Sequence, residues 1–319
     1  MPRRSRPTGL RSRASILLIK AARRVLLGRG AQRWRITQFV HRRVVDSAWG
    51  RDLIEVTFRG LRLVVPTRDH TIVPGIIGGF YEQHELDLFE RLAAVSPKIV
   101  DVGGNIGVYA AVGASRMPTA GRLIVFEPVA ENYDLLVSNL ALNGLTAGIE
   151  VVAAAVGDQE GELTLHLAPL SVGTHSASAS NASGGRGVVE QVVVPMHTLD
   201  TFPSTDPAQH QGDPVTLLKL DVEGFDGHVL RGAEALLRAQ RPTLLVEYVR
   251  PHLEGCGFDP EEFVNRVFDS YDAVWAVTGS QGRISMTTRE AVLAGPNANL
   301  VAVSRPEHKE IVELWAAGG

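Results

Sequence analysis

A chain of 319 residues, 45% hydrophobic and 21% charged, has the composition of a folded globular protein with one large α/β domain and an appendage. Its single cysteine, Cys256, excludes an intramolecular disulfide framework and a cysteine-built zinc site, which fits a reducing cytoplasm. The net charge of −3 conceals an asymmetry: residues 1–51 hold 14 of the 32 Lys and Arg against one acid, Asp46, while the remainder holds 18 basic and 34 acidic residues.

Taken in chain order, residues 1–51 are expected as a partly helical or disordered basic arm, drawn to phosphate or an anionic membrane surface. The apolar run at 16–19 is too short for a secretory core or a membrane span. Residues 14–27 fit a basic helix lying in an interface plane, so the expected location is cytoplasmic with peripheral contact at the inner membrane. Residues 52–65 alternate as two short strands turning at Arg59-Gly60, and a helix is expected over 82–95, which makes 52–97 a small hairpin and helical lead-in.

From 98 to 305 short apolar runs alternate with amphipathic segments. Strands are expected at 99–102, 122–127, 149–154, 215–221 and 243–248, with helices at 107–116, 130–143 and 227–239 between them. Late strands follow at 273–277 and 300–303, and residues 306–319 are expected as a tail. Continuous apolar strands separated by helices predict a doubly wound, mostly parallel α/β sheet covered on both faces. The Ser- and Gly-rich stretch 168–187 interrupts the rhythm and is expected as a mobile loop, placed to act as a lid.

The strongest local signal is the loop from Asp101 to Gly107, after a strand and opening a helix. Its glycines, Gly103, Gly104 and Gly107, permit a sharp turn and a close approach of backbone to ligand. Nicotinamide enzymes also use such loops. Here, however, the spacing is D-x-G-x-N-x-G through Asn105, not G-x-G-x-x-G, and Asp101 would repel a pyrophosphate. A carboxylate there suits the amino group of a methionine moiety. The next strand ends in Glu127-Pro128, an acid placed to bind ribose hydroxyls. Together these favour S-adenosylmethionine over NAD.

The segments YEQHELDLF, IVDVGGNIGVYA, FEPVAENYDLLVSNLALNG, VVAAAVGDQEGEL, LLKLDVEGFDGHVLRG and LLVEY resemble the FkbM family of methyltransferases, over about residues 70–305. The resemblance implies a seven-stranded methyltransferase (Rossmann-like) sheet whose last strand is antiparallel. It also implies methylation of hydroxyls on sugars, glycolipids or polyketide-type natural products, and an acidic residue at Glu82 lining the site beside the cofactor. Residues 1–51 lie outside it and inherit nothing.

A sugar hydroxyl is a poor nucleophile near neutral pH, so a base or a metal should assist. Lys219, Asp221 and Glu223 alternate and face one side of an extended chain. Lys219, inside the apolar run 215–222, needs a carboxylate partner, Asp221 or Glu247. Asp221 and Glu223 are the candidate bases or holders of a divalent metal, and Asp221 also borders the cofactor. His175 is a further candidate base carried by the loop. Asn132 is expected at the cofactor edge, Asn139 and Asn143 as helix-ending residues, and Ala155-Val156 against the adenine, with Asp158 in reach of its amine. A nicotinamide oxidoreductase and a nucleic-acid methyltransferase gripping RNA with its arm are the competing readings. The acidic body disfavours a nucleic-acid partner.

Overall fold

The computed structural model describes residues 53–168, 171–183, 190–208, 213–278 and 282–317. The basic arm with its expected interfacial helix, and loop residues 169–170 and 184–187, lie outside these.

Strands β1 (Leu53–Phe58) and β2 (Leu61–Pro66) pair antiparallel around Arg59 and Gly60, both at positive φ (49° and 80°). That is the geometry a two-residue hairpin turn requires. Arg59 is held there by ion pairs to Asp87 (2.6 Å) and Glu90 (3.0 Å). Helices α1 (Val73–Gly78) and α2 (Gln83–Ala93) follow.

The main alternation then begins with β3 (Lys98–Val102), α3 (Val108–Arg116), β4 (Arg122–Phe126), α4 (Ala130–Leu142) and β5 (Ile149–Val152). Strands β6 (Ala155–Val156) and β7 (Gly161–Leu167), helix α5 (Ala179–Ser183) and strand β8 (Glu190–His197) come next. The chain returns through β9 (Leu217–Leu220), α6 (Asp226–Arg231), α7 (Glu234–Gln240) and β10 (Thr243–Tyr248). It closes with α8 (Arg250–Gly255), α9 (Pro260–Ser270), β11 (Ala273–Thr278), β12 (Arg283–Met286), α10 (Arg289–Ala294), β13 (Ala298–Val303) and α11 (Pro306–Ala317).

The central sheet has the order β12-β11-β13-β10-β9-β3-β4-β5. Strands β5 to β10 in that order run parallel, and β13 runs antiparallel between β10 and β11. The doubly wound sheet with an antiparallel last strand is therefore present, and β12 adds an eighth strand at its edge. Alternation divides the core. Ile99, Leu217, Leu245 and Val301 face the hairpin, α2 and α3, whereas Val100, Leu218, Leu244 and Val246 pack with Phe258 and Phe263 on the other side.

Four expectations need correction. A three-stranded sheet, β6-β8-β7, flanks the expected loop on both sides, at positions where no strands were expected. The single helix over 227–239 is two helices: at the break the Asp200 N–H donates to the Gly232 carbonyl, and Gly157 packs so close that a Cβ at Gly232 would lie 1.9 Å from its carbonyl oxygen. Both carboxylate oxygens of Asp200 then accept first-turn N–H groups of α7, from Ala235 and Leu236. The tail is helix α11, whose Val312 and Trp315 complete the core against α2. Lastly, Asn139 and Asn143 do more than end a helix: they bond the Val64 and Arg62 backbones, N–H and C=O alike, and so cap the free edge of β2.

Candidate active site

Strand order reverses between β3 and β9, so their carboxyl ends open a crevice. Two cavities share it. The first, of about 600 Å³, lies among the glycine loop, the start of α4 and β6. The second, of about 800 Å³, lies among α2, α3 and the ends of β9 and β10. They meet at Asn105, Gly173, Asp221 and Glu223.

The first cavity is organised by Glu127. Its Oε2 accepts Asn105 N–H and its Oε1 accepts Val129 N–H, each at 2.8 Å. Burial outweighs these two bonds and raises the carboxyl to about 7. Each oxygen keeps a second lone pair for a ligand hydroxyl. Pro128 and Asn132 border it, and Phe126, Val129, Ala155 and Val156 supply an apolar wall. Asp158 is not on that wall; it binds His228 Nδ1 at 2.8 Å.

The loop glycines answer to the protein more than to a ligand. A Cβ at Gly103 (φ 87°) would fall 2.0 Å from the Asp221 carbonyl oxygen, and one at Gly104 would fall 2.3 Å from Val125 Cγ1. Gly107, at φ 86°, opens α3 with a Cβ position 3.1 Å from Leu136. Gly103 thus lets the ends of β3 and β9 close together at the crevice, and Gly104 and Gly107 let the loop pack on β4 and α4.

The described part of the Ser-rich loop is tied down. The Val172 carbonyl accepts amide N–H groups from both Asn105 and Asn132, each at 3.0 Å. Val172 N–H donates to Asp69, whose other oxygen takes the Ile72 and Val73 N–H groups. Asn132, expected at the cofactor edge, lines the first cavity and also anchors this segment. His175 lines the cavity too, but Ala168 N–H donates to its Nδ1 at 3.0 Å and burial pushes the imidazole down to about 4. With Nδ1 accepting that N–H, the neutral ring carries its proton on Nε2, so His175 presents a donor there and is a weak base. That corrects its expected role as a base.

The second cavity centres on Lys219. Burial alone would lower its ammonium, but Asp101, Asp221 and Glu82 prevail and hold it above its ordinary value. Nζ lies 3.3 Å from Asp101 and 3.5 Å from Asp221, with the Tyr109 ring centroid at 4.7 Å. Asp101 is fully buried and lines neither cavity; it serves Lys219, not a ligand amine as expected. Glu82, expected beside the cofactor, lines only the second cavity and accepts the Tyr109 hydroxyl at 2.7 Å. Burial and then the Asp221 charge raise Glu82 to about 7, Glu247 to about 8, and Glu223 well above the carboxylate range. Glu223, at φ 52°, has Oε2 at 3.6 Å from His252 Nδ1. Asp221 is the carboxylate shared by both cavities and paired with Lys219, and its side chain is about a third exposed. Among the described residues, no group of three His, Cys, Asp or Glu is arranged to hold a metal ion.

Sequence reasoning missed Tyr109 and Asp69. Tyr109 sits one residue into a helix whose apolar spacing hides it, and Asp69 follows a turn with no motif around it.

The methyltransferase FkbM domain matches residues 101–277. A curated relative, methyltransferase sdnD of Sordaria araneosa, is 26% identical over 194 residues, spanning 51% of this chain and 74% of the relative. Among solved structures, the O-methyltransferase TomG of Streptomyces achromogenes, in complex with SAM, aligns at 15% identity and TM-score 0.42, over 70% of this chain and 80% of that one. A methyltransferase FkbM from Methylobacillus flagellatus KT aligns at 15% identity and TM-score 0.39, over 72% of this chain and 54% of that one. The domain match takes in more than half of the sequence, from the glycine loop to β11, and the chain belongs to the FkbM family of methyltransferases.

Proposed function

We propose that this methyltransferase uses S-adenosylmethionine and methylates a hydroxyl on a sugar, glycolipid or polyketide-type acceptor. The observation that carries the reading is the meeting of two cavities at Asn105, Gly173, Asp221 and Glu223. A donor site and an acceptor site must touch where a group passes between them. The first cavity fits the cofactor: Glu127 for ribose hydroxyls, and Ala155 and Val156 for the adenine face.

When bound, S-adenosylmethionine supplies a methyl group on a cationic sulfur. The chain supplies the rest. Asp221 brings a carboxylate to the junction. Asp221 receives the proton of the acceptor hydroxyl, and Lys219 holds its carboxylate in place from 3.5 Å. Glu223 stands beside it at the junction, its carboxyl pushed well above the ordinary range by burial and then by the Asp221 charge.

Family membership sets aside the nicotinamide alternative. The basic arm supports a reversible contact with anionic membrane surfaces, on charge alone. No helix among the described residues is long and apolar enough to cross a membrane. The function is tested by incubating the protein with methyl-labelled S-adenosylmethionine and a panel of glycan and polyketide alcohols. Labelled methyl ethers are expected, and label appearing only on amines would contradict the O-directed reading.

A further inference from the structure

The side-chain nitrogen donors that line the first cavity are Asn105, Asn132 and His175. Both amides already donate to the Val172 carbonyl. His175 is different: its Nδ1 is taken by Ala168 N–H, and its Nε2 has no hydrogen-bond partner among the described residues.

The ring is fixed nonetheless. Ser176, the next residue, pairs with His166 of β7 through both backbone groups, at 2.8 and 3.1 Å, and its hydroxyl donates to the Glu223 carbonyl at 2.8 Å. Three residues earlier, Val172 is held by Asn105, Asn132 and Asp69. His175 thus lies between two anchored points of the cavity wall, with its tautomer set by Ala168. An N–H held in such a wall without an acceptor costs free energy until a ligand supplies one.

S-adenosylmethionine offers few acceptors to this donor. Its ribose hydroxyls meet Glu127 and its amino group is a donor, which leaves the carboxylate and the adenine ring nitrogens. Val129, Ala155, Leu163, Leu165 and Ala177 line the cavity and pack as one apolar cluster. Burial holds the imidazole neutral, with its pKa down at about 4. A neutral donor among apolar side chains suits the uncharged edge of a purine, whereas a carboxylate would lose its water there without gaining a countercharge.

We infer that His175 Nε2–H donates to a ring nitrogen of the cofactor's adenine and so reads that base. This deepens the proposed function and rests on its cofactor reading.

The test is calorimetry on the full-length protein with S-adenosylhomocysteine and with analogues in which carbon replaces one adenine ring nitrogen at a time. One analogue should bind the wild type at least about threefold more weakly than S-adenosylhomocysteine. His175→Asn leaves a short side chain able to accept Ala168 N–H but without the distal donor, and it should abolish the discrimination against that analogue. His175→Gln places an amide nitrogen near the position of Nε2 and should retain part of it. A wild type that binds S-adenosylhomocysteine and all the analogues alike would overturn the inference. So would a preference that survives in H175N, or one lost only in H175Q, since either outcome would leave the ring acting through Ala168 alone. Failure of the wild type to bind S-adenosylhomocysteine at all would overturn the cofactor reading and this inference together.

Discussion

Lys219 Nζ lies 3.3 Å from Asp101 Oδ1, across two strands that register those residues directly opposite each other. Both side chains are buried, and burial pushes the Asp101 carboxyl up while Lys219 opposes it. Removing one partner of such a pair strands the other charge, at a cost of about 3–5 kcal/mol. Lys219→Met should therefore lose that much in urea unfolding, and the double variant Lys219→Met, Asp101→Asn should recover most of it. A Lys219→Met protein as stable as wild type would show that Asp101 is not ionised.

Stability should fall between pH 6.5 and 8 in the ligand-free protein. Glu82, Glu127 and Asp226 are raised to about 7 and Glu247 to about 8, chiefly by burial. A carboxyl with a raised folded pKa binds more protons folded than unfolded, so its stabilisation, complete at acid pH, is lost as pH climbs through the folded value. His175 and His308, both pushed down to about 4 by burial, act in the opposite sense but only below their unfolded value of 6.5. Thermal unfolding across that interval should show a declining Tm, and saturating S-adenosylmethionine should lessen the decline by favouring the ionised carboxylates. A Tm that rises from pH 6.5 to 8 contradicts this assignment.

Most of the fold was legible because parallel strands buried on both faces are continuous apolar runs: 243–248 was read with its observed bounds, and the glycine loop and Glu127 stood out by spacing. What escaped depends on contacts between distant segments. Strands β7 and β8 are partly exposed, and Pro195 within β8 argues locally against a strand. The Asp101–Lys219 pairing follows from strand order, which no local pattern encodes, and so Asp101 was assigned to a ligand. Asn132 looked like a cofactor contact because the segment it anchors lies 40 residues away.

The Val172 carbonyl, held by two amides, closes one side of the first cavity. Asn132→Ala removes one of these bonds, a loss of about 0.5–1.5 kcal/mol for a neutral pair. Stopped-flow measurements should show S-adenosylhomocysteine leaving several-fold faster, with a smaller change in its association rate. An unchanged dissociation rate would mean that this segment does not retain the ligand.

For the basic arm, deletion of residues 1–45 should abolish sedimentation with anionic vesicles at low salt and leave S-adenosylhomocysteine affinity intact. Each Lys or Arg near such a surface is worth on the order of 1 kcal/mol, and the attraction fades as salt rises. Full-length protein that ignores the vesicles would end the surface-contact proposal.

The central claim is that the cavity around Glu127 takes S-adenosylmethionine, and calorimetry with S-adenosylhomocysteine and NAD tests it most directly. The wild type should bind S-adenosylhomocysteine and not NAD. Glu127→Ala should weaken that binding by at least about tenfold, since hydrogen bonds to a charged acceptor are worth ~1.5–3 kcal/mol each. Saturable NAD binding without any response to S-adenosylhomocysteine, or a Glu127→Ala protein with wild-type affinity, would contradict it.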